Sequence, residues 1–272
     1  MSDKARQYKR LTVRRLDTLS GNQCANPDCD RKLIARDGET IISKICHIEA
    51  ASANGPRFNS KMIDDERRHY NNLILLCDEC HSVIDNKSNE DKYPVALLKE
   101  WKSNHTTLIQ SNILKTKPFL LSKAINAIAD LDFESEENES DKQINAFNIS
   151  DKIEFNSVKR NKPLIEEYSK YYGKINSLYG ELENAGSFKK EKLLRNIKLL
   201  YTRVKGQYLS NSTDELKAIQ SNADNIFEAV EEKLLSLIDE KSLSSKEDAD
   251  FAIPIIMVDA FMRCKILEEP PK

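Results

Sequence analysis

The chain has little of what makes turns, with 7 Gly and 8 Pro in 272 residues. That scarcity speaks against a β sandwich, which needs a turn every few residues. Aromatic residues are also sparse, at 7% with a single Trp, Trp101. There is no run of ~18 apolar residues, which excludes a transmembrane helix. The segment from Met1 to Arg15 is basic but lacks the apolar stretch of a secretory leader, so a cytoplasmic protein is expected. Neither sign of charge prevails: 42 Lys+Arg stand against 44 Asp+Glu, a formal charge of −2. A protein that is basic all over is therefore excluded, although a local basic patch is not. What the chain does have is 39% hydrophobic residues, enough for real cores, and 32% charged residues. That pairing suggests long, solvent-washed helices.

The average conceals an uneven distribution. Residues 1–112 carry 18 Lys+Arg against 16 Asp+Glu, together with all four His, five of the six Cys and the Trp. Residues 113–150 carry 4 basic and 7 acidic side chains, and residues 151–272 carry 20 and 21. Three regions follow: a chemically equipped first domain (1–112), a helix with an acidic linker (113–150) and a helical domain (151–272). Phe133–Ser150, with Glu134, Glu136, Glu137 and Glu139 at its core, reads as a linker, because like charges repel and few apolar groups could repay ordering.

Four cysteines form two tight pairs, Cys24-x4-Cys29 and Cys77-x2-Cys80. Each pair can offer two thiolates from one short turn, and together they provide the tetrahedral four-sulfur set that structural zinc prefers. In a chain without an export signal such pairs favour metal over disulfides; the alternative is four unrelated buried thiols. A Zn²⁺ with four thiolates has no open position, so it would act as a structural tie across residues 30–76. Cys46 and Cys264 have no partner at ligand spacing and read as ordinary small core residues.

Between and after the pairs lie the reactive polar groups. Thr40–Glu49 has β character, with His47 near its end. Tyr70–Leu76 leads straight into Cys77, and a short helix is expected from Cys80 onward. His81 and Asp85 then stand at i and i+4 on one helix face. A histidine and a carboxylate so arranged could hold a hard divalent cation and leave positions for phosphate oxygens and water; otherwise Asp85 is a surface carboxylate. Arg57, beside the Gly55-Pro56 turn, is the first choice for a phosphate contact. Lys9, Arg10, Arg14 and Arg15 form either a nucleic-acid-binding helix face or a merely solvated one. Pro94, Leu97, Leu98, Trp101, Leu108 and Ile109 mark an amphipathic helix over residues 94–112, with Pro94 in its first turn and Trp101 packing it onto the domain.

The ordered set Cys24…Cys29, Cys46-His47-Ile48, Asn72-Leu73 and Leu76-Cys77-x-x-Cys80-His81 resembles the HNH endonucleases over roughly residues 20–105. The resemblance implies an α+β chain: a small zinc-framed ββα-metal (HNH) domain followed by an all-α helical domain. It also implies DNA as substrate, with His47 the general base that activates water. Asn72 would orient His47 or its loop, and His81 would bind a catalytic Mg²⁺ or Mn²⁺. Asp85 would be a second ligand, and Glu49 is a weaker candidate. Many family members carry an Asp before the first His; here that position is Cys46, a poor partner for Mg²⁺. His69 and His105 match no family position and read as surface residues.

Beyond residue 155 the apolar spacing turns helical. Pro163–Tyr179, the run from Leu193 to Val204 and the run from Leu216 to Ile238 predict three antiparallel helices before a last segment, Phe251–Leu267. Ser212-x-x-Glu215 reads as a capping box for the third. Lys162–Tyr168, Gly186-Ser187, Tyr201 and the run Asp259–Pro271 are similar to the C-terminal domain of effectors in ABC three-component systems, over roughly residues 150–272. That likeness implies an effector nuclease docking through its tail onto an SMC-like ABC ATPase and a small middle subunit, with no membrane partner. Two other readings stay open: a catalytically silent, zinc-framed DNA-binding adaptor, and the nuclease of a Septu-like nuclease–ATPase pair. The near-neutral charge predicts that the isolated chain binds DNA poorly and loses that binding as salt rises.

Overall fold

In the computed structural model, residues 3–131, 148–209, 214–238, 243 and 245–271 are described. Most of the acidic segment after residue 131 lies outside them. The chain forms two compact units, Met1–Lys117 and Pro118–Lys272. Mostly helical with one small sheet, the architecture is α+β.

In the first unit, a 3-10 turn (Asp3–Arg6) and helix α1 (Arg10–Thr18) precede strand β1 (Ser43–His47). Helix α2 (Asp64–Arg67) and a 3-10 turn (Tyr70–Asn72) lead into strand β2 (Leu73–Cys77). The strands pair antiparallel in a register that sets Cys46 opposite Ile74 and His47 opposite Leu73. Two strands alone are marginal in water and must be covered. Every residue of β2 is buried, which is why it reads as an unbroken apolar run. Helix α3 (Asp78–Ile84) follows β2 without a loop and packs on both strands. Its start is dictated locally: the Cys77 sulfur accepts the Cys80 amide as an N-cap, and Asp78 and Glu79 suit the positive end of the helix dipole. Helix α4 (Val95–Thr116) begins just after Pro94, which serves as N-cap. Trp101 sits edge-on to Tyr93 at 5.9 Å, in a core shared with Leu33, Cys46, Ile74, Leu76, Ile84 and Leu98.

The second unit contains α5 (Leu120–Ala129), α6 (Ile149–Phe155), α7 (Lys162–Tyr168), α8 (Tyr172–Asn184), α9 (Lys189–Leu209), α10 (Glu215–Leu237) and α11 (Lys246–Met262). Helix α5, placed with the connecting segment on composition, packs against α9 and α11 of this unit. Ile149 and Ser150, assigned to the linker, open α6, where the Asn148 side chain caps the Ser150 amide. The single helix expected over Pro163–Tyr179 is instead α7 and α8, joined by a 3-10 turn at Ser169–Tyr171. Ser169 Oγ donates to the Glu166 carbonyl at 2.7 Å, a local bond that competes with the α ladder. The N-cap of α10 is Asp214, whose carboxylate accepts the Lys217 amide at 3.1 Å; Ser212 lies outside the described residues. Helix α11 is buried from Asp248 to Phe261 without a break, as expected of a central helix apolar on all sides. It ends at Met262, inside the last segment Phe251–Leu267, where Cys264 (φ 57°) and Leu267 (φ 59°) turn left-handed.

Two polar devices tie this unit together. Asp224 accepts the backbone amides of Lys159, Arg160 and Asn161, fixing the entry to α7. Asp259, buried on α11, receives Tyr179 Oη at 3.0 Å and Arg263 Nε at 3.0–3.1 Å, while Arg263 also reaches Asn176.

Candidate metal centres and active site

The structure brings the two cysteine pairs together. Cys24 is held from β2, the Cys77 amide donating to its sulfur at 3.3 Å. Cys77 and Cys80 flank the first turn of α3. The four sulfur atoms all lie within 4.8 Å of one another, and Cys29 Sγ is 3.9 Å from Cys77 Sγ. A tetrahedron with Zn–S bonds of ~2.3 Å has edges of about 3.8 Å, so the spacing fits that ion. Asn26 Nδ2 adds a bond to Cys80 Sγ at 3.3 Å. Burial pushes the Cys24 thiol up to about 11 and raises Cys80 as well. Burial acts the same way on Cys77, but the Cys80 amide and the neighbouring sulfurs hydrogen-bond to it and bring it down. Crowded thiolates repel each other, and a dication at their centre removes the conflict. The four-cysteine group can hold a metal ion such as zinc.

A second group shares helix α3 with the first. Cys46 Sγ lies 3.2 Å from Asp85 Oδ1, and His81 Nε2 lies 3.3 Å from Asp85 Oδ2. One donor atom from each of Cys46, His81 and Asp85 falls within a 4.8 Å set. The helical spacing of His81 and Asp85 was readable in advance; Cys46 was not. Cys46 is a buried core residue, as expected, but its sulfur also faces a carboxylate. Burial drives its thiol well above the usual value, with Asp85 adding to the effect.

His47 occupies the last position of β1, 8% exposed. Its Nε2 lies 3.1 Å from the Ala5 carbonyl, and its ring is 5.7 Å from that of Tyr8. A carbonyl only accepts, so Nε2 carries the proton and Nδ1 keeps the lone pair. Burial lowers its pKa, against the Ala5 bond and Asp85, which raise it. The ring is therefore neutral near pH 7.

Asn72 clamps the chain that follows His47. Its Oδ1 accepts the Glu49 amide at 2.9 Å, and its Nδ2 donates to the carbonyls of Glu49 at 2.9 Å and Arg67 at 3.0 Å. Glu49 itself accepts Asn59 Nδ2 at 2.8 Å and lies 3.6 Å from Lys99, apart from the Cys46 group.

The arginines differ from expectation. Arg57 is 6% exposed, with φ 57°. It donates Nε to Ile48 O at 2.8 Å, Nη1 to Ile84 O at 3.0 Å and Nη2 to Asp85 Oδ1 at 3.3 Å. Its guanidinium thus braces the end of β1 against α3 from inside the domain rather than facing a phosphate. Arg15 is buried too, its guanidinium 5.5 Å above the Tyr70 ring. Of the expected basic face, Lys9 and Arg10 are exposed and Arg14 half-buried. His105 and His69 are half-buried rather than superficial; His105 Nε2 lies 2.8 Å from Ser20 O, and His69 Nδ1 accepts the Asn71 amide.

The molecule so defined is a protein of two units, one built on a four-cysteine centre beside a Cys-His-Asp group, the other a helical bundle. Residues 121–268 match the sequence model of C-terminal domain 10 of the ABC-three component (ABC-3C) systems. That span is more than half of the chain, and the chain belongs to this family. No curated protein matches it. Among the described residues, no helix is long and apolar enough to cross a membrane.

Proposed function

We propose that the chain is the effector nuclease of an ABC-3C defence complex, a metal-dependent HNH endonuclease that hydrolyses DNA phosphodiester bonds. The supporting observation is the His47 geometry. A neutral imidazole with its tautomer fixed by Ala5 stands next in sequence to a three-residue metal-capable group.

In this reading, water is the nucleophile and His47 Nδ1 takes its proton as the new P–O bond forms. Asn72 holds the loop that presents His47. His81 and Asp85 would hold a divalent ion, whose Lewis acidity would polarise the phosphoryl oxygen and stabilise the departing one. A zinc ion held by Cys24, Cys29, Cys77 and Cys80 would fix α3, and hence His81 and Asp85, against the strands. The C-terminal unit docks onto an SMC-like ABC ATPase and a small middle subunit, so stable engagement of DNA depends on the partners. This accords with a chain whose charges nearly cancel.

The test is plasmid cleavage by the chain assembled with its neighbour-encoded proteins and a divalent ion. His47→Ala should lower the rate by about 10²–10⁴-fold with zinc content unchanged. Cleavage by His47→Ala at the parent rate would remove the catalytic assignment. Binding without cleavage under every divalent ion would favour a DNA-binding adaptor instead.

A further inference from the structure

We infer that Cys46 is a metal ligand, and that the Cys46–His81–Asp85 group is a site for a borderline or thiophilic transition ion such as Zn²⁺, Fe²⁺ or Co²⁺ rather than Mg²⁺. The inference deepens the nuclease reading, on which it rests for the ion's catalytic use; the binding itself is separately measurable.

The spacing carries the argument. An ion with bonds of ~2.0–2.1 Å to N and O and ~2.3 Å to S sets tetrahedral edges of about 3.3–3.5 Å. Cys46 Sγ stands 3.2 Å from Asp85 Oδ1 and His81 Nε2 stands 3.3 Å from the other oxygen, Oδ2, and one donor atom from each of the three residues falls within a 4.8 Å set. The sulfur has no exposed surface and sits at the edge of the first unit's apolar core, yet it is turned toward a carboxylate. It comes from β1 and the other two donors from α3 and its C-cap, so the set is held by two elements that pack together.

The donor set then selects the ion. Mg²⁺ demands near-octahedral oxygen, and a sulfur and an imidazole nitrogen out of three donors do not supply it. Thiolate with imidazole suits Zn²⁺, Fe²⁺ and Co²⁺. On binding, the thiol proton of Cys46 leaves to solvent and the S–metal bond takes its place. Three protein ligands leave a fourth position open, as in catalytic zinc sites, in contrast to the closed four-cysteine centre. The charges also favour an anionic substrate. A thiolate and a carboxylate against a dication and the buried Arg57 guanidinium, 3.3 Å from Asp85, would leave a net of about +1 at the site.

The experiment uses the full chain carrying one Zn²⁺, with zinc content followed by native mass spectrometry as Co²⁺ is added. A cobalt equivalent should bind without displacing that zinc. It should show a thiolate-to-cobalt charge-transfer band that excess Mg²⁺ does not remove. Cys46→Ser should lose this band while keeping the zinc and its melting temperature. Cys46→Asp should also lose the band and should let Mg²⁺ compete with cobalt. The inference is overturned if no cobalt binds beside the zinc, if it binds without the band, or if the band survives in Cys46→Ser. Failures separate cleanly: the band without any DNA cleavage sinks the nuclease reading alone. Cleavage on Mg²⁺ by Cys46→Ser at the parent rate sinks the ligand assignment alone.

Discussion

Replacing Arg57 with methionine tests the difference between an internal brace and a phosphate contact. Two of its bonds are of full strength by distance, Nε to Ile48 O at 2.8 Å and Nη1 to Ile84 O at 3.0 Å. The remaining contacts, to Tyr93 O, His47 O and Asp85 Oδ1, run from 3.3 to 3.5 Å and count for less. Hydrogen bonds from a charged donor contribute about 1.5–3 kcal/mol each, so the two strong ones sum to about 3–6 kcal/mol. Methionine restores some apolar packing, and Asp85 keeps about a third of its side chain in solvent, which softens the loss. The net expectation is a destabilisation of the first unit by about 3–5 kcal/mol. Trp101 is the sole tryptophan and lies in that unit, so its fluorescence during urea unfolding reports this unit without the other. With an m-value near ~1.5 kcal/mol/M, the midpoint should fall by about 2 M or more in zinc-saturated buffer. Arg57→Lys should also destabilise, because an ammonium cannot span carbonyls on two elements as the guanidinium fork does. A midpoint unchanged within ~0.3 M, with weaker DNA binding and a salt slope shallower by about one, would refute the brace and restore the phosphate contact.

Three further outcomes are expected. Stripping zinc with a chelator should abolish the Trp101 signal of the folded first unit while the far-ultraviolet helical signal of the second persists; retention of the native Trp101 spectrum in metal-free protein would count against a zinc tie. Asp259→Ala should destabilise the second unit by about 3–5 kcal/mol, since it strands the buried Arg263, whereas Tyr179→Phe should cost only about 1 kcal/mol; equal effects in chemical denaturation would contradict this ranking. Lys152 is buried, and burial pulls its ammonium from 10.5 down to about 8. Below about 8 both states hold the proton and its pH dependence vanishes; between about 8 and 10.5 the unfolded chain binds more protons, so the Lys152 contribution to stability rises with pH. The stability difference between the parent and Lys152→Met should therefore shift in the parent's favour across that window, and a flat difference would show that the ammonium is not perturbed.

Local spacing made much of this chain legible. The i, i+4 relation of His81 and Asp85 follows from helical geometry once α3 is placed, and the cysteine pairs lie on turns short enough to be read by eye. The apolar periodicity marked α9 and α10 for the same reason, because 3.6-residue repeats are a property of the segment itself. Errors arose where a local bond competed with that periodicity. At Ser169 the helix expected over Pro163–Tyr179 is broken in two, where its hydroxyl donates to the Glu166 carbonyl.

The sequence by itself marked the paired cysteines and the His81–Asp85 pair as metal donors and the long segments of α9 and α10 as helices, because these depend on neighbours a few positions apart. Only the tertiary structure decided which donors meet. Antiparallel pairing of β1 with β2, and the packing of α3 on both, carry Cys46 to Asp85 across 39 positions and Cys29 to Cys77 across 48. The same packing turned Arg57 and Arg15 inward, because a guanidinium at the junction of strand, helix and loop can satisfy buried carbonyls or cover an aromatic ring there. No periodicity encodes that outcome: it depends on which buried acceptors other segments bring to the same place.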